Sequence, residues 1–247
     1  MHADPLIAPR PLPGRLFLVP NLLGVVPPAE VLPQRTIDVA RALKHFVVET
    51  PKAARQFIKS LQSEQPIQSI DFATLDVNTP PERVPQMLEP AFNGADLGLL
   101  SDAGCPGVAD PGALLVAAAH RAGLRVVPLV GPSAVLLALM AAGMNGQQFA
   151  FHGYLPVPAE ARIKALRALD EAVARNGVTQ IYIETPYRND AMLAATLAAC
   201  RGTTELCVAA DLTLPTEQVI RRPIAKWRDA ARTSLSRRPA IFLLGRL

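Results

Sequence analysis

Two periodicities alternate along this chain, and that alternation limits its fold more than any other feature. Short apolar runs, RLFLV (15–19), HFVVE (45–49), SIDFAT (69–74), DLGLL (96–100) and RVVPLV (125–130), are separated by segments with helical spacing: TIDVARALKH, KAARQFIKSLQ, PERVPQMLEPAFNG and GALLVAAAHRAG. A strand that is apolar on both faces has no wetted side. Such strands joined through helices build a parallel sheet covered on both faces. Gly123 is placed to close its helix, and Asp110-Pro111 to open the same helix as N-cap and first-turn proline.

A second half starts near Phe149. FAFHGYL (149–155) reads as a strand, and residues 158–177 as a long helix. Then follow strand TQIYIET, helix NDAMLAATLAACR, strands ELCVAADL and EQVIRR, helix IAKWRDAAR and strand PAIFLLG. Two successive strands with no helix between them predict a mixed sheet. The expected class is α/β, with a parallel sheet in an N-terminal domain (15–130) and a mixed sheet in a C-terminal domain (149–247). Residues 131–148 form a connecting helix and linker. Residues 1–14 hold four prolines and no periodicity, and read as a disordered tail.

At 247 residues, half of them apolar, the chain can bury a substantial core. Twenty-five Lys and Arg against 21 Asp and Glu give a net charge of +4. That balance permits an anionic partner such as RNA without demanding one. Cys105, Cys200 and Cys207 form no CxxC pair and no cluster with histidine, which points away from a zinc site or a disulfide framework. The apolar stretch 126–144 is broken by Pro128 and by Gly131-Pro132-Ser133, so strand, turn and helix fit it better than a membrane span. A cytoplasmic protein is expected, with no metal.

Ligands of an open parallel sheet bind beyond the carboxyl ends of its strands. Three loops sit there: PNLLG (20–24), SDAGCPG (101–107) and GPSA (131–134). Their small residues expose main chain. Neither GxGxxG after the first strand nor GxxxxGK[ST] is present, so the loops suit a nucleoside without a phosphate cradle. Asp102 has two readings, an Asx turn that ties down its own loop or an acceptor for a ribose hydroxyl or amino group. Ser133 can cap the following helix and still line the cleft.

Residues 97–144, followed by FAFHGYLP, resemble the tetrapyrrole-methylase-fold methyltransferases. The closest likeness is to a short subgroup of the branch that methylates a cytidine ribose 2′-hydroxyl in small-subunit ribosomal RNA. The S-D-A-G-x-P-x-x-x-D-P-G loop and the G-P-[SC]-A turn of that branch are both here. The resemblance implies two α/β domains with S-adenosylmethionine in the cleft between them, and a homodimer. Donor contacts carried over by position fall on Pro20 to Leu23, on Asp102, Cys105 and Val108, on Ser133 and Ala134, and near Thr185, Ala210 and Ala240. Three stretches depart from the branch: PNLLGV replaces P-T-P-I-G-N, VETPK replaces A-E-D-T-R, and IETPYR replaces Y-E-S-x-H-R.

Methyl transfer to a hydroxyl needs positioned reactants and an outlet for a proton. Glu184 and Glu49 are candidates to act as base or to orient the acceptor. Lys52 and Arg188 could neutralise a phosphate. For all four, an ordinary ion pair is the competing reading. RRPIAKWRDAARTSLSRR (221–238) is either an RNA footprint or a solvated amphipathic helix with Trp227 turned inward. The implied function is methylation of ribosomal RNA or of the small ribosomal subunit. The alternatives are a methyltransferase of a small molecule such as a tetrapyrrole precursor, and a nonenzymatic nucleoside-binding module.

Overall fold

The structure, a computed structural model, describes residues 12–63, 65–230 and 234–246. The first eleven positions of the proline-rich arm lie outside the described residues. Gly14, at its end, donates its N–H to Ala91 O (2.8 Å). The chain divides into two compact units. One contains the chain up to Leu22 together with Pro27–Pro132; the other contains Leu23–Val26 and Ser133–Leu247.

In the first unit, β1 (Arg15–Val19), β2 (His45–Val48), β3 (Asp71–Thr74), β4 (Leu97–Leu100) and β5 (Arg125–Pro128) form a parallel sheet in the order β3-β2-β4-β1-β5. Its helices are α1 (Pro28–Val31), α2 (Gln34–Ala42), α3 (Pro51–Ser60), α4 (Glu89–Phe92) and α5 (Gly112–Arg121). The two-residue period of the strands divides the core in two. Phe17, Val19, Phe46, Val48 and Leu100 pack with Ile37 and Ala40 of α2 and Ala54, Phe57 and Ile58 of α3. Leu16, Val47, Leu97 and Leu99 pack on the other face with Leu88, Ala91 and Leu115, Ala118 and Ala119 of α5. This is the doubly covered sheet expected from the apolar runs.

Segment 81–94 departs from its expected single helix. Pro81–Leu88 is a 3-10 helix that contains Pro85, and only Glu89–Phe92 is α-helical. Neither Pro85 nor Pro90 has an N–H for an i to i−4 bond, so helical spacing of the apolar residues survives without continuous α-helical bonding.

In the second unit, α6 (Ala134–Ala142), β6 (Phe149–Tyr154), α7 (Ala159–Asn176), β7 (Thr179–Ile183), α8 (Asn189–Ala199), β8 (Glu205–Ala210), β9 (Gln218–Pro223), α9 (Ile224–Asp229) and β10 (Ala240–Gly245) follow in order. The sheet order is β6-β7-β10-β8-β9. β6 and β7 are parallel and the remaining pairs antiparallel, which makes the mixed sheet that two successive strands predict. Leu206, Val208, Phe242 and Leu244 face α7, α8 and α9; Cys207, Ala209, Ile241 and Leu243 face α6. Among the described residues, no helix is long and apolar enough to cross a membrane.

Gly98 sits mid-strand because a Cβ there would lie 2.6 Å from Cδ1 of Phe46. Replacing it by valine overpacks one face of the first sheet. We expect a loss of about 1–3 kcal/mol, measured as a lower urea midpoint with an unchanged slope.

Candidate functional site

The register of the first sheet brings three loop starts together. Val19 and Val48 both pair with Leu100, so Pro20, Glu49 and Ser101 leave the sheet side by side. β5 reaches the same edge, where Leu129 N–H donates to Leu18 O (3.0 Å). From β2 the chain moves outward to β3, and from β4 it moves the other way to β5. Neighbouring strands whose connections diverge open a crevice at their carboxyl ends.

Asn21 fastens that edge. Its N–H donates to Gly104 O (2.9 Å). Its Nδ2 donates to Ser101 O and to Asp102 O, 3.0 Å each, and its Oδ1 accepts from Leu22 N–H at 2.8 Å. The residue is 6% exposed, so these bonds satisfy polar groups that water hardly reaches. Pro20 rests on the main chain of Gly131, where a Cβ would lie 2.4 Å from that of Pro20. The Cys105 thiol reaches Pro132 O at 3.5 Å, and burial pushes this thiol up from its ordinary pKa. The loops after β1, β4 and β5 are thus joined pairwise.

Asp110 braces the same segment. Both carboxylate oxygens accept from Gly107 N–H at 2.9 Å, and Oδ1 also accepts from Gly112 N–H at 2.7 Å. The helix starts one residue later than expected, at Gly112. Pro111 stands at the cap position with helical dihedrals and no side-chain cap. Asp110 therefore clamps the loop to the helix start from outside the cap position.

Two carboxylates stand at the crevice. Thr50 Oγ1 donates to Asp102 Oδ2 (2.7 Å), and Asp102 N–H lies 3.5 Å from Glu49 Oε2. Ser101 Oγ donates to Ala103 O at 3.1 Å. Ser101 and Asn21 thus tie down the turn, and the Asp102 carboxylate instead takes Thr50 while remaining exposed. Burial, then the charge of Asp102, pushes the Glu49 carboxyl above its ordinary range; the Asp102 N–H pulls the other way, and Asp110 adds a smaller upward push. Val108 is half exposed, and Lys52 is exposed in the first turn of α3.

The second unit gathers another group of residues. β10 runs antiparallel to β7 and β8, so it begins where they end: Ala240 pairs with Ala210 and Ile241 with Ile183. Thr185, Ala210 and Ala240 therefore share one sheet edge. Beside them Glu184, almost fully buried, accepts on Oε1 from Thr185 N–H (2.7 Å), Thr185 Oγ1 (3.2 Å) and Arg188 Nη2 (2.5 Å). The ion pair weighed from the sequence is present here, with both partners four residues apart. Ser133 Oγ accepts from Leu136 N–H at 3.4 Å and caps α6. Leu23 and Ala134 pack against the α6 core.

Three arginines of the arginine-rich segment are occupied with structure. Arg221 bonds Glu205 and the carbonyls of Ala142 and Gly143. Arg228 bonds those of Leu197 and Cys200. Arg238 pairs with Asp211 at 2.7 Å. Trp227 is turned inward, and its Nε1 donates to Leu206 O (3.0 Å). Among the described residues, no group of three or more His, Cys, Asp or Glu could hold a metal ion.

Sequence reasoning missed Thr50 and the fastening role of Asn21. The only signals were a hydroxyl directly after Glu49 at a strand end and a carboxamide two residues after the first strand. Asn21→Ala leaves the buried carbonyl of Ser101 and the partly buried carbonyl of Asp102 without their donor. A loss of about 1–3 kcal/mol is expected, with faster proteolysis within residues 101–107. A variant as stable as wild type would show that the loops hold themselves.

Comparison with known proteins places this architecture. The family model described as Tetrapyrrole (Corrin/Porphyrin) Methylases matches residues 29–227. A Vibrio cholerae protein named ribosomal RNA small subunit methyltransferase I is 31% identical over 211 residues, covering 85% of this chain and 69% of the relative. A protein of that name from Micromonospora olivasterospora is 37% identical over 208 residues, covering 84% and 62%. Among solved structures, the methyltransferase CobJ aligns over 94% of both chains with a TM-score of 0.63 at 19% identity, a likeness of fold.

Proposed function

The chain is a methyltransferase of the tetrapyrrole (corrin/porphyrin) methylase family, and from that premise we propose that it moves a methyl group from S-adenosylmethionine to a ribose 2′-hydroxyl of small-subunit ribosomal RNA. The observation that carries the donor assignment is the fastened loop set after β1, β4 and β5. Hydrogen bonds hold the main chain of these loops in place, and their sequences contain no phosphate cradle. That chemistry fits a nucleoside sulfonium. The Asp102 carboxylate, exposed and holding only Thr50 among the described side chains, has acceptor capacity left for ribose hydroxyls. Pro20, Leu23, Cys105, Val108, Ser133, Ala134, Thr185, Ala210 and Ala240 are the remaining proposed donor contacts. Names of relatives at 31–37% identity support the RNA acceptor, and that acceptor places the reaction in the cytoplasm. The homodimer that accompanies this reading is checked by sedimentation.

S-adenosylmethionine supplies a methyl carbon already activated by its sulfonium. The protein's work is to align the acceptor and take its proton. Glu49 is the proposed base, because its carboxyl holds a proton more readily than an ordinary glutamate. Glu184 has Oε1 committed to three donors, so we assign it to aim Arg188 at the acceptor backbone, with Lys52 as a second phosphate contact.

The test is transfer from radiolabelled S-adenosylmethionine into small ribosomal subunits, free RNA, protein and small molecules, each counted separately. Label in ribosomal RNA at a ribose supports the proposal. Label only in small molecules overturns the acceptor. Glu49→Gln should cut turnover about a hundredfold or more, with donor binding retained. It should also be more stable than wild type at neutral pH. A raised native pKa means that the folded state keeps its proton longer, so wild type loses stability as pH rises from the unfolded value through the folded one.

The pH profile provides a separate check. The negative charge of Asp102 raises Glu49. Asp102→Asn should therefore move the acid limb of kcat/KM to lower pH, besides weakening donor binding. An unmoved limb would remove Glu49 as the titrating base.

A further inference from the structure

The segment after β8 is strained in a way the site described so far does not require. Asp211 has φ +53° and Thr213 φ +72°. Neither is glycine, and a β-branched residue in the left-handed region is a clear outlier. Thr213 Oγ1 is also buried with no hydrogen-bond partner. Such a conformation persists only where its surroundings impose it, and here the braces are visible. Asp211 N–H donates to Pro239 O (2.9 Å), and Leu214 N–H to Asp211 O (2.9 Å). Asp211 Oδ2 accepts from Arg238 Nε (2.7 Å) and Thr216 Oγ1 (2.9 Å). Thr213 N–H donates to Glu217 Oε2 (2.8 Å). Arg238 also bonds Thr216 O and Gln218 Oε1, at 2.9 and 3.1 Å.

What this braced turn presents is Leu214, and Leu214 lies on Gly24. A Cβ at Gly24 would sit 2.6 Å from Leu214 Cδ2, 2.9 Å from Cδ1 and 3.1 Å from Cγ. The main chain at Gly24 therefore lies against the Leu214 side chain, and a Cβ there would have to push the Leu214 methyls aside. Its neighbour Leu23 packs against the core of the same unit. We propose that Leu214, aimed by the strained Asp211–Thr213 turn, is a positioning residue that fixes the backbone of Leu23 and Gly24 for the methyl donor. The proposal rests on the donor reading above. The lock is one of size, since the bare backbone at position 24 matches the branched side chain at 214.

A size lock is tested by restoring fit. Gly24→Ala should weaken binding of S-adenosylhomocysteine, measured by calorimetry, about ten- to a hundredfold, the scale of one overpacked contact. In turnover, KM for the donor should rise more than kcat falls. Leu214→Ala should speed amide hydrogen exchange within Leu23–Val26 while exchange in β8 and β10 stays unchanged. The double variant Gly24→Ala/Leu214→Ala should bind better than Gly24→Ala alone, because the smaller side chain vacates the space the new methyl needs. Wild-type affinity in Gly24→Ala, or a double variant no better than the worse single one, would overturn the proposal. If wild type itself does not bind S-adenosylhomocysteine, the donor reading falls. The exchange experiment on Leu214→Ala still decides whether Leu214 holds the segment.

Discussion

A buried carboxamide holds the carboxyl edge of the first sheet together. Asn21 is nearly enclosed and satisfies two carbonyls of the loop after β4 while pairing its own N–H with Gly104. Buried polar groups are costly alone and directional when paired, so one side chain fixes the spacing between two loops that local sequence leaves free. Everything assigned to donor binding in this unit depends on that spacing. Pro20 reaches Gly131, Cys105 reaches Pro132, and Asp102 is held where Thr50 and Glu49 meet it. The sheet supplies the common edge through its register, and the loop contacts hold that edge together.

The charges follow a division of labour. Glu184 lies deep and is saturated by Thr185 and Arg188 on one oxygen, which suits a group that orients a cation. Glu49 is half-buried, faces a second carboxylate and is pushed towards its protonated form, which suits proton transfer. In sequence, segment 221–238 reads either as a nucleic-acid footprint or as an amphipathic helix with Trp227 turned inward. In three dimensions Arg221, Arg228 and Arg238 cap helix ends, close a strand pair and brace a turn.

The alternation of apolar strand and helix was legible because it expresses a burial requirement on both faces, and burial is written residue by residue. The mixed sheet was legible from two strands with no helix between them. The proline-interrupted segment 81–94 was misread because apolar spacing is shared by α and 3-10 geometry, whereas the missing N–H groups of Pro85 and Pro90 act on bonding. Asp110 was recognised as helix-start chemistry but placed one position off, since Pro111 can occupy either place. The three loops at the carboxyl edge of the first sheet were legible from their small residues. What joins them was not. The Asn21 bonds span about eighty positions of sequence, and the Gly24–Leu214 contact spans still more. The strain at Asp211 and Thr213 is imposed partly by near neighbours, Thr216 and Glu217, and partly by Arg238 and Pro239, which arrive only just before the last strand.

The central claim is that a phosphate-free nucleoside donor is held by the main chain of the fastened loops, and a crystal structure with S-adenosylhomocysteine bound tests it most directly. The account predicts the nucleoside against Pro20, Cys105 and Val108, with a ribose hydroxyl on the Asp102 carboxylate and the Asn21 bonds unchanged. A product molecule seated away from these loops, or one whose binding breaks the Asn21 bonds to Ser101 and Asp102, would contradict it.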